Sequence, residues 1–200
     1  MSTVATFRSV AELRDSIVSP VSAEWEAKML HKVPELPVIK DRASHLVLNA
    51  KDKVVLDIGC SGDISKKIKA AAKKYYGIDR HAAEGVVAVD LDHRPDQIPV
   101  YEDVDVIIAS EVLEHLANPG YFLAALKALY KGKEIVITVP HASGYRVQDD
   151  CEVVNIDHVC WYSYTTLKTL VTRYGYTISQ AAWYHGKPHK AEGIIMVLTG

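Results

Sequence analysis

Short apolar runs alternate with segments of helical period from residue 53 onward, and this alternation limits the fold more than any other feature of the sequence. An apolar run predicts a buried strand, and a helical segment between two such runs predicts a crossover that leaves the strands parallel. The predicted strands are seven, at residues 53–58, 75–79, 85–90, 103–110, 133–139, 176–184 and 192–199. We therefore predict an α/β fold with a seven-stranded, mostly parallel sheet and helices on both faces.

Three intervening segments have the apolar spacing of helices that bury one face. The third of them has Ser163 as a possible N-cap and Gly175 where a helix would stop. The apolar stripes consist of Ile64, Ile68 and Ala71, then Phe122, Leu126 and Leu129, then Leu167, Leu170, Val171 and Tyr174. The last two strands are separated only by residues 185–191, so they should pair as an antiparallel hairpin.

The N-terminal part of the chain has a less regular pattern that is interrupted by prolines. We expect residues 1–49 to form two or three short helices, a lid over one end of the sheet, and residues 50–200 to form the core of a single domain, 1–200. An insert at residues 140–162 should fold over the edge of the sheet where ligands bind.

Composition limits the classes of partner. The chain of 200 residues is 48% hydrophobic and 24% charged with a net charge of −2, so we expect a globular protein without a basic surface for nucleic acid. The first residues lack the pattern of a signal peptide, and no segment approaches the roughly 18 apolar residues of a membrane span. Three cysteines without a CxxC pair favour a reducing cytoplasm. The oligomeric state cannot be predicted.

The most informative segment is KVVLDIGCSGDISKKI, residues 53–68. A strand that leads into a turn of small residues and then a helix lets a ligand approach the backbone N–H groups closely. Gly59, Ser61 and Gly62 provide that space. Because open parallel sheets bind ligands at the carboxyl ends of their strands, we expect a cofactor cleft here.

The same turn argues against a dinucleotide. The second and third glycines of a GxGxxG fingerprint are absent after Gly59. The carboxylates of Asp57 and Asp63 would repel a pyrophosphate but would attract a cation. The turn therefore favours a positively charged or zwitterionic ligand.

The next two strand ends favour an adenosine group. Asp79 follows Gly59 by 79 − 59 = 20 residues, the distance at which an acidic residue accepts hydrogen bonds from a ribose diol. Asp90 could accept a hydrogen bond from an exocyclic amine, while Leu91 offers an apolar contact to a base. This combination suits adenine.

These motifs together resemble a known family. The segments VVLDIGCSGD, YYGIDRH, VVAVDLD and VDVIIASEVLEHLANPGYFL resemble successive motifs of class I S-adenosylmethionine-dependent methyltransferases, and EVLEHL is especially similar to the small-molecule branch. The resemblance spans about residues 50 to 180. The C-terminal layout is similar to methyltransferases of the methionine-biosynthesis W type and of the quinone-biosynthesis type. The resemblance as a whole implies a Rossmann-like fold, S-adenosylmethionine as cofactor and a small-molecule acceptor.

The resemblance also implies roles for individual residues. The turn from Asp57 and Gly59 to Gly62 would hold the methionine part of the cofactor, Asp79 its ribose, and Asp90 and Leu91 its adenine. The full cofactor set is Asp57, Gly59, Cys60, Ser61, Gly62, Asp79, Arg80, Asp90, Leu91, Ser110 and Glu111, the last two lining the floor near the methionine end. The chain departs from the family because the third glycine of the loop is missing.

Histidines are the candidates for catalysis, because a hydroxyl acceptor needs a base to remove its proton. We favour His141 and His158, which should lie at the carboxyl edge of the sheet, and expect His115 to make a structural hydrogen bond. A zinc site is a further possibility, but its residues lack the paired spacing of structural sites, so we expect no metal. That set would be His141, Cys151, His158 and Cys160.

The sequence thus predicts a methyltransferase that acts on a small molecule, with oxygen favoured over nitrogen because of the histidines. No Asn-Pro-Pro-Tyr-like signature of amino-methylating enzymes follows the fourth strand. One alternative is an inactive S-adenosylmethionine-binding or regulatory module of the same fold. Another is a nicotinamide-dependent oxidoreductase, against which the missing GxGxxG spacing argues.

Overall fold

A computed structural model describes residues 33–142, 155–185 and 192–200, and the backbone of 146–148 and 151–153. The strands are β1 (Val38–Ile39), β2 (Val54–Ile58), β3 (Lys74–Asp79), β4 (Val86–Ala88), β5 (Val106–Ser110), β6 (Glu134–Pro140), β7 (Arg146–Gln148), β8 (Cys151–Val153), β9 (Thr177–Tyr184) and β10 (Gly193–Thr199). The α-helices are α1 (Arg42–Ala50), α2 (Asp63–Ala71), α3 (Pro119–Leu129) and α4 (Tyr164–Arg173), and two 3-10 turns occur at Pro95–Gln97 and Leu113–His115.

Eight strands form the main sheet in the order β1-β9-β10-β6-β5-β2-β3-β4. The pairs β2–β3, β2–β5, β5–β6 and β3–β4 are parallel, whereas β10 is antiparallel to both β6 and β9. The chain proceeds from β2 to β3 on one side and later to β5 on the other, so strand order reverses beside β2. This reversal leaves a crevice at the carboxyl ends of β2 and β5.

The seven predicted strands and the C-terminal hairpin are confirmed, and only two of the strands differ from the prediction by more than one residue at an end. The segment predicted as 85–90 pairs only over Val86–Ala88, because the chain then turns around Asp90, whose carboxylate accepts hydrogen bonds from the N–H groups of Asp92 and His93. β1 and the separate β7–β8 hairpin were not predicted.

The core consists of two apolar clusters, one on each face of the sheet. All five residues of β2 are buried, with Leu56 and Ile58 in one cluster and Val55 in the other. A strand that is covered on both faces needs apolar side chains on both, so the sequence of β2 is nearly continuous in apolar residues and does not alternate between apolar and polar ones.

The helices begin where the sequence offers caps. Asp41 caps α1 by accepting hydrogen bonds from the N–H groups of Ala43 and Ser44, and Asn118 caps α3. Ser163 caps α4 as predicted, and its side chain and that of Thr166 satisfy each other's backbone N–H groups in a capping box. None of the helices in the described part of the chain is long and apolar enough to cross a membrane.

Two predictions on domain organisation stay predictions. Residues 1–32 lie outside the described residues, so most of the predicted lid over residues 1–49 does too; within the lid the structure describes β1 and α1. The predicted insert at residues 140–162 is described in part. Its last residues contact the 3-10 turn after β5, where the N–H groups of Val159 and Cys160 donate to the carbonyl of Glu114 at 2.8 and 3.0 Å.

Replacement of the α4 cap should destabilise the domain. We expect Ser163→Ala to lower the free energy of unfolding by about 1 kcal/mol, because it leaves an N–H group of the first turn without its acceptor. Thr169→Ala, at an exposed position of the same helix, is the matched control and should change it by less than about 0.5 kcal/mol. Urea unfolding measures both. Equal effects of the two variants would contradict a stabilising role for the cap.

Candidate functional site

The glycine turn after β2 has a conformation that side chains resist. The N–H groups of Gly59 and Cys60 both donate to the carbonyl of Ile78 in β3, at 2.8 and 3.1 Å. Gly59 has a φ of +75°, and a Cβ placed on it would lie 2.6 Å from Cγ2 of Val112. Gly62 has a φ of +90° and caps α2 without a side-chain hydrogen bond. Backbone strain and lack of space therefore both require glycine at position 59.

Asp57 is a buried carboxylate directly beneath this turn, with 2% of its surface exposed. The hydroxyl of Tyr75 donates to its Oδ2 at 2.7 Å. Burial raises the pKa of Asp57 to about 6 and the Asp79 carboxylate adds to the rise, while hydrogen bonds from Tyr75 and Ser65 oppose it. A cation bound next to Asp57 would stabilise the ionised form.

A cavity of about 290 Å³ opens at the turn and brings together residues from four elements. It is lined by Arg42 of α1, by Asp57 of β2 with Gly59, Ser61 and Gly62 of the turn that follows it, by Asp63, Ile64, Ser65 and Ile68 of α2, and by Ser110 and Glu111 at the end of β5. The residues that the sequence assigned to the methionine part of the cofactor thus border one space, except Cys60. A volume near 300 Å³ is at the lower end of ligand pockets.

Cys60 directs its thiol away from this space. A Cβ added to Gly77 in β3 would lie 2.9 Å from the Cys60 sulfur, so the side chain packs against that strand. Burial raises the pKa of the thiol to about 11, and the thiol is therefore not a reactive nucleophile at neutral pH. Any contact of Cys60 with a cofactor would come from its backbone.

The residues assigned to ribose and adenine lie beyond the cavity lining. Asp79 ends β3 and accepts a hydrogen bond from the N–H group of His81, at 3.2 Å, and Arg80 is exposed. The Asp90 carboxylate is engaged in its own turn, with Oδ2 at 2.9 Å from Nδ1 of His93. Leu91 is buried in the core. A role for Asp90 at an adenine would use the acceptor sites of its carboxylate that these partners leave.

Glu111 lies at the centre of a hydrogen-bond network at the end of β5. Its Oε1 accepts hydrogen bonds from the hydroxyls of Thr138 and Tyr184, at 2.8 and 3.0 Å, and its Oε2 forms an ion pair with Arg42 at 2.7 Å. The residue has a φ of +56°, which is unusual for glutamate. These contacts hold the strained backbone in place and join α1 to β5, β6 and β9. Ser110 hydrogen-bonds the same Thr138 hydroxyl at 2.9 Å.

Arg42 is a site residue that the sequence analysis missed. It lies on α1, within the part of the chain predicted as a lid, and lines the cavity with its guanidinium paired to Glu111. Only the cap signal of Asp41 indicates a helix start there, and nothing in the local pattern shows which way Arg42 points. Its charge makes it a candidate to hold an anionic group of the cofactor.

A second cavity, of about 330 Å³, adjoins the first and shares the wall formed by Arg42, Ile64 and Glu111. The remaining lining residues are Asp41, Ala43, Tyr184, His185 and Glu192. His185 lies between two carboxylates, with Nε2 at 3.8 Å from Asp41 and Nδ1 at 3.9 Å from Glu192. This second cavity is therefore polar and carries both signs of charge.

The two histidines favoured for catalysis belong to different clusters. The His141 ring packs against the Trp183 ring, with centroids 5.1 Å apart, and burial lowers its pKa. The His158 ring contacts the rings of His115 and Trp161, at 4.8 and 5.5 Å. Burial also lowers the pKa of His158, and the neighbouring His115 adds to the effect. Both imidazoles are thereby favoured in the neutral form.

The histidine cluster includes Glu114, to which the sequence analysis gave no role. Glu114 has 1% of its surface exposed, and neither carboxylate oxygen has a hydrogen-bond partner among the described residues. Burial raises the pKa of Glu114 to about 8, with the Glu111 carboxylate adding to the rise. The expected structural hydrogen bond of His115 is present, between its Nδ1 and the carbonyl of Asp157 at 3.0 Å.

Fold and site together define a class of protein. A parallel sheet with a reversal of strand order, a glycine turn at the reversal and acidic residues at successive strand ends is the arrangement of α/β domains that bind a nucleotide-type cofactor.

Comparison with known proteins defines the family. Residues 29–181 match the family model described as "Methyltransferase domain". The chain therefore belongs to this family and is a class I S-adenosylmethionine-dependent methyltransferase domain, with S-adenosylmethionine as the methyl donor. This confirms the family, fold and cofactor predicted from the sequence.

A curated relative gives a more specific but partial similarity. The chain is 30% identical over 145 residues to the "Ubiquinone biosynthesis O-methyltransferase" of Rhodopseudomonas palustris (strain HaA2), an alignment that covers 60% of this chain and 57% of the relative. The chain thus spans little more than half the length of that relative.

Solved structures support the fold. The 1,6-didemethyltoxoflavin-N1-methyltransferase of Burkholderia thailandensis, solved with S-adenosylhomocysteine, superposes with a TM-score of 0.60 at 14% identity, covering 99% of this chain and 94% of that one. An S-adenosylmethionine-dependent methyltransferase of Mesorhizobium loti gives 0.53 at 13% identity, with coverage of 88% and 97%. At such identities the likeness shows the fold alone.

Substitution of Gly59 should weaken cofactor binding. We expect Gly59→Ala to lose at least tenfold in affinity for S-adenosylhomocysteine, because the turn must shift to relieve both the positive φ and the contact with Val112. Gly132→Ala is the matched control: Gly132 also has a positive φ, +77°, with no atom near the added Cβ, and it does not line the cavity. Both variants should lose about 1–2 kcal/mol of stability. Isothermal titration should separate them, and equal affinities would contradict a role for the turn in binding.

The buried carboxylate should make cofactor binding depend on pH. Because the pKa of Asp57 is about 6, the group is mostly neutral at pH 5 and mostly ionised at pH 7. Only the ionised form attracts a cationic ligand, so the affinity for S-adenosylmethionine should rise with pH through about 6. Asp57→Asn should bind more weakly at pH 7 and lose this dependence. A pH dependence that persists unchanged in the variant would assign it to another group.

Proposed function

We propose that the domain transfers the methyl group of S-adenosylmethionine to a hydroxyl oxygen of a small-molecule acceptor. The observation that carries the proposal is the second cavity, which shares the wall of Arg42, Ile64 and Glu111 with the cofactor cavity. Methyl transfer is an in-line displacement, so donor and acceptor must occupy adjoining spaces.

The chemistry of the second cavity supports a polar acceptor of limited size. Asp41, Glu192 and His185 can exchange hydrogen bonds with hydroxyl groups, and the cavity volume of about 330 Å³ suits a small molecule. The relative from Rhodopseudomonas palustris is named as an O-methyltransferase. This similarity favours oxygen as the methylated atom.

The role of base is proposed for His141 or His158. A hydroxyl acceptor loses its proton as the new bond forms between its oxygen and the methyl carbon, while the bond from that carbon to sulfur breaks and the electron pair leaves with S-adenosylhomocysteine. A neutral imidazole can take the proton, and burial favours the neutral form of both histidines. Their separate clusters allow one to act as base while the other has a different task.

Residues of the cofactor cavity would hold the donor. In this proposal Asp57 faces the positive charges of the methionine part, the turn from Gly59 to Gly62 offers its backbone, and Glu111 and Ser110 form the floor. Arg42 then lies where it can pair with the cofactor's carboxylate. Asp79 is assigned to the ribose hydroxyls.

An acceptor screen tests the proposal. The full chain with S-adenosylmethionine is incubated with phenols, catechols, hydroxy acids and primary amines, and S-adenosylhomocysteine is measured. We expect turnover with hydroxyl acceptors, identified as methyl ethers by mass spectrometry. Turnover confined to amines would overturn O-methylation.

Variants then identify the base. His141→Gln should lower kcat at least a hundredfold if His141 is the base, since general-base catalysis contributes about 10²–10⁴-fold. The residual activity should then rise with pH, because hydroxide or an ionised acceptor replaces the base. His45→Gln, on α1 and in neither of the two histidine clusters, is the matched control. An unchanged pH profile in both His141→Gln and His158→Gln would exclude a histidine base at these positions.

A further inference from the structure

Three side chains of metal-ligand type meet where the segment of residues 155–160 contacts the 3-10 turn after β5. Glu114, His115 and His158 each offer one ligand atom, and these atoms all lie within 4.8 Å of one another. We propose that Glu114, His115 and His158 form a binding site for a divalent transition-metal ion, with zinc as the ion that the ligand set suits best. The sequence analysis expected no metal, because it weighed a different set of residues.

The buried carboxylate is the observation that points to a ligand. Both oxygens of Glu114 are inaccessible to solvent and lack a hydrogen-bond partner among the described residues. Buried carboxylates are normally paired, hydrogen-bonded or bound to a metal. The Nδ1 atom of His158 is also buried and has no hydrogen-bond partner among the described residues. A cation between Glu114 and His158 would satisfy both groups.

The two imidazoles are oriented as metal ligands usually are, with one nitrogen held and the other free to bind. Nδ1 of His115 contacts the carbonyl of Asp157 at 3.0 Å, and its Nε2 faces Oε1 of Glu114 at 3.9 Å. Nε2 of His158 lies 3.0 Å from the side-chain amide of Asn155, which leaves Nδ1 toward the cluster. Each ring therefore has a supporting contact outside the cluster.

The backbone fixes the two halves of the cluster against each other. The N–H groups of Val159 and Cys160 donate to the carbonyl of Glu114, and the Cys160 thiol donates to the carbonyl of Leu116 at 3.4 Å. Ligands from residues that are 158 − 114 = 44 positions apart are thereby held together before any ion binds. A small inward movement of the side chains would bring the ligand atoms to the spacing of a zinc site, in which metal–nitrogen bonds are about 2.0–2.1 Å.

The donor set determines the type of ion. Two imidazole nitrogens and one carboxylate oxygen suit zinc and other first-row transition metals, whereas magnesium prefers oxygen ligands only. Three protein ligands also leave at least one coordination position open, as in catalytic rather than structural zinc sites. The three ligands are not among the lining residues of the two cavities, so the site does not depend on the proposed function. His158 would then be a ligand, and His141 would be left as the base.

Metal binding to the full chain tests the proposal without any acceptor. After treatment with a chelator and its removal, zinc is titrated calorimetrically and, in parallel, cobalt is added and its absorption spectrum recorded; magnesium serves as the comparison ion. We expect one zinc ion per chain, no comparable magnesium binding, and a cobalt spectrum with imidazole coordination. Zinc should also raise the melting temperature, because it binds the folded state.

Variants assign the ion to this cluster. Glu114→Gln and His158→Gln should each weaken zinc binding at least tenfold, and His45→Gln, a histidine outside the cluster, should bind as the unmodified chain does. Circular dichroism checks that the variants are folded, and if one is not, the other gives the result. Zinc affinity that is unchanged in a folded Glu114→Gln or His158→Gln variant would overturn the site, as would the absence of stoichiometric binding by the unmodified chain.

The outcome is distinguishable from that of the proposed function. Stoichiometric zinc binding without turnover of hydroxyl acceptors would retain the metal site and reject O-methylation. Turnover of hydroxyl acceptors by a chain that binds no zinc, unaffected by a chelator, would reject the metal site and retain O-methylation.

Discussion

Burial of β2 on both faces is the constraint on which the rest of the structure depends. Its four apolar residues belong to the two apolar clusters, so the sheet must be covered on each side, as is usual for parallel strands. The chain leaves this strand at the reversal of strand order, where its last polar residue, Asp57, is pulled into the interior. The crevice, the glycine turn and the raised pKa of Asp57 all follow from that one position.

The Glu111 network connects this crevice to the rest of the carboxyl edge. Arg42, Thr138 and Tyr184 come from α1, β6 and β9, and all three contact the same carboxylate. A charged group held by several partners has a fixed position, and the strained backbone at Glu111 is compatible with that rigidity. The wall between the two cavities is therefore preorganised, which suits the donor and acceptor spaces that we propose.

The sequence predicted elements better than it predicted contacts. The seven strands were predictable because a buried strand requires a run of apolar residues, which is visible in the sequence. β1 was not, because it has only two residues and therefore no periodic pattern. The glycine turn and the cleft beside it were predicted because glycines have a conformational reason for their positions. Arg42 was missed because nothing local shows the direction of its side chain, and the partners of Asp90 were missed because its carboxylate turns back onto its own backbone.

Asp57 and Glu114 illustrate why two buried carboxyl groups in one domain have different consequences. Asp57 has a hydrogen bond from Tyr75, which offsets part of its cost of burial and leaves its pKa near 6, so it can be ionised at neutral pH. Glu114 has no such donor in the described chain and its pKa is about 8. An unsatisfied buried polar group costs about 1–3 kcal/mol, which a structural role in the 3-10 turn does not explain. An apolar side chain would pack there at lower cost, and the two adjacent imidazoles make the proposed metal ion the partner that fits the carboxyl group of Glu114.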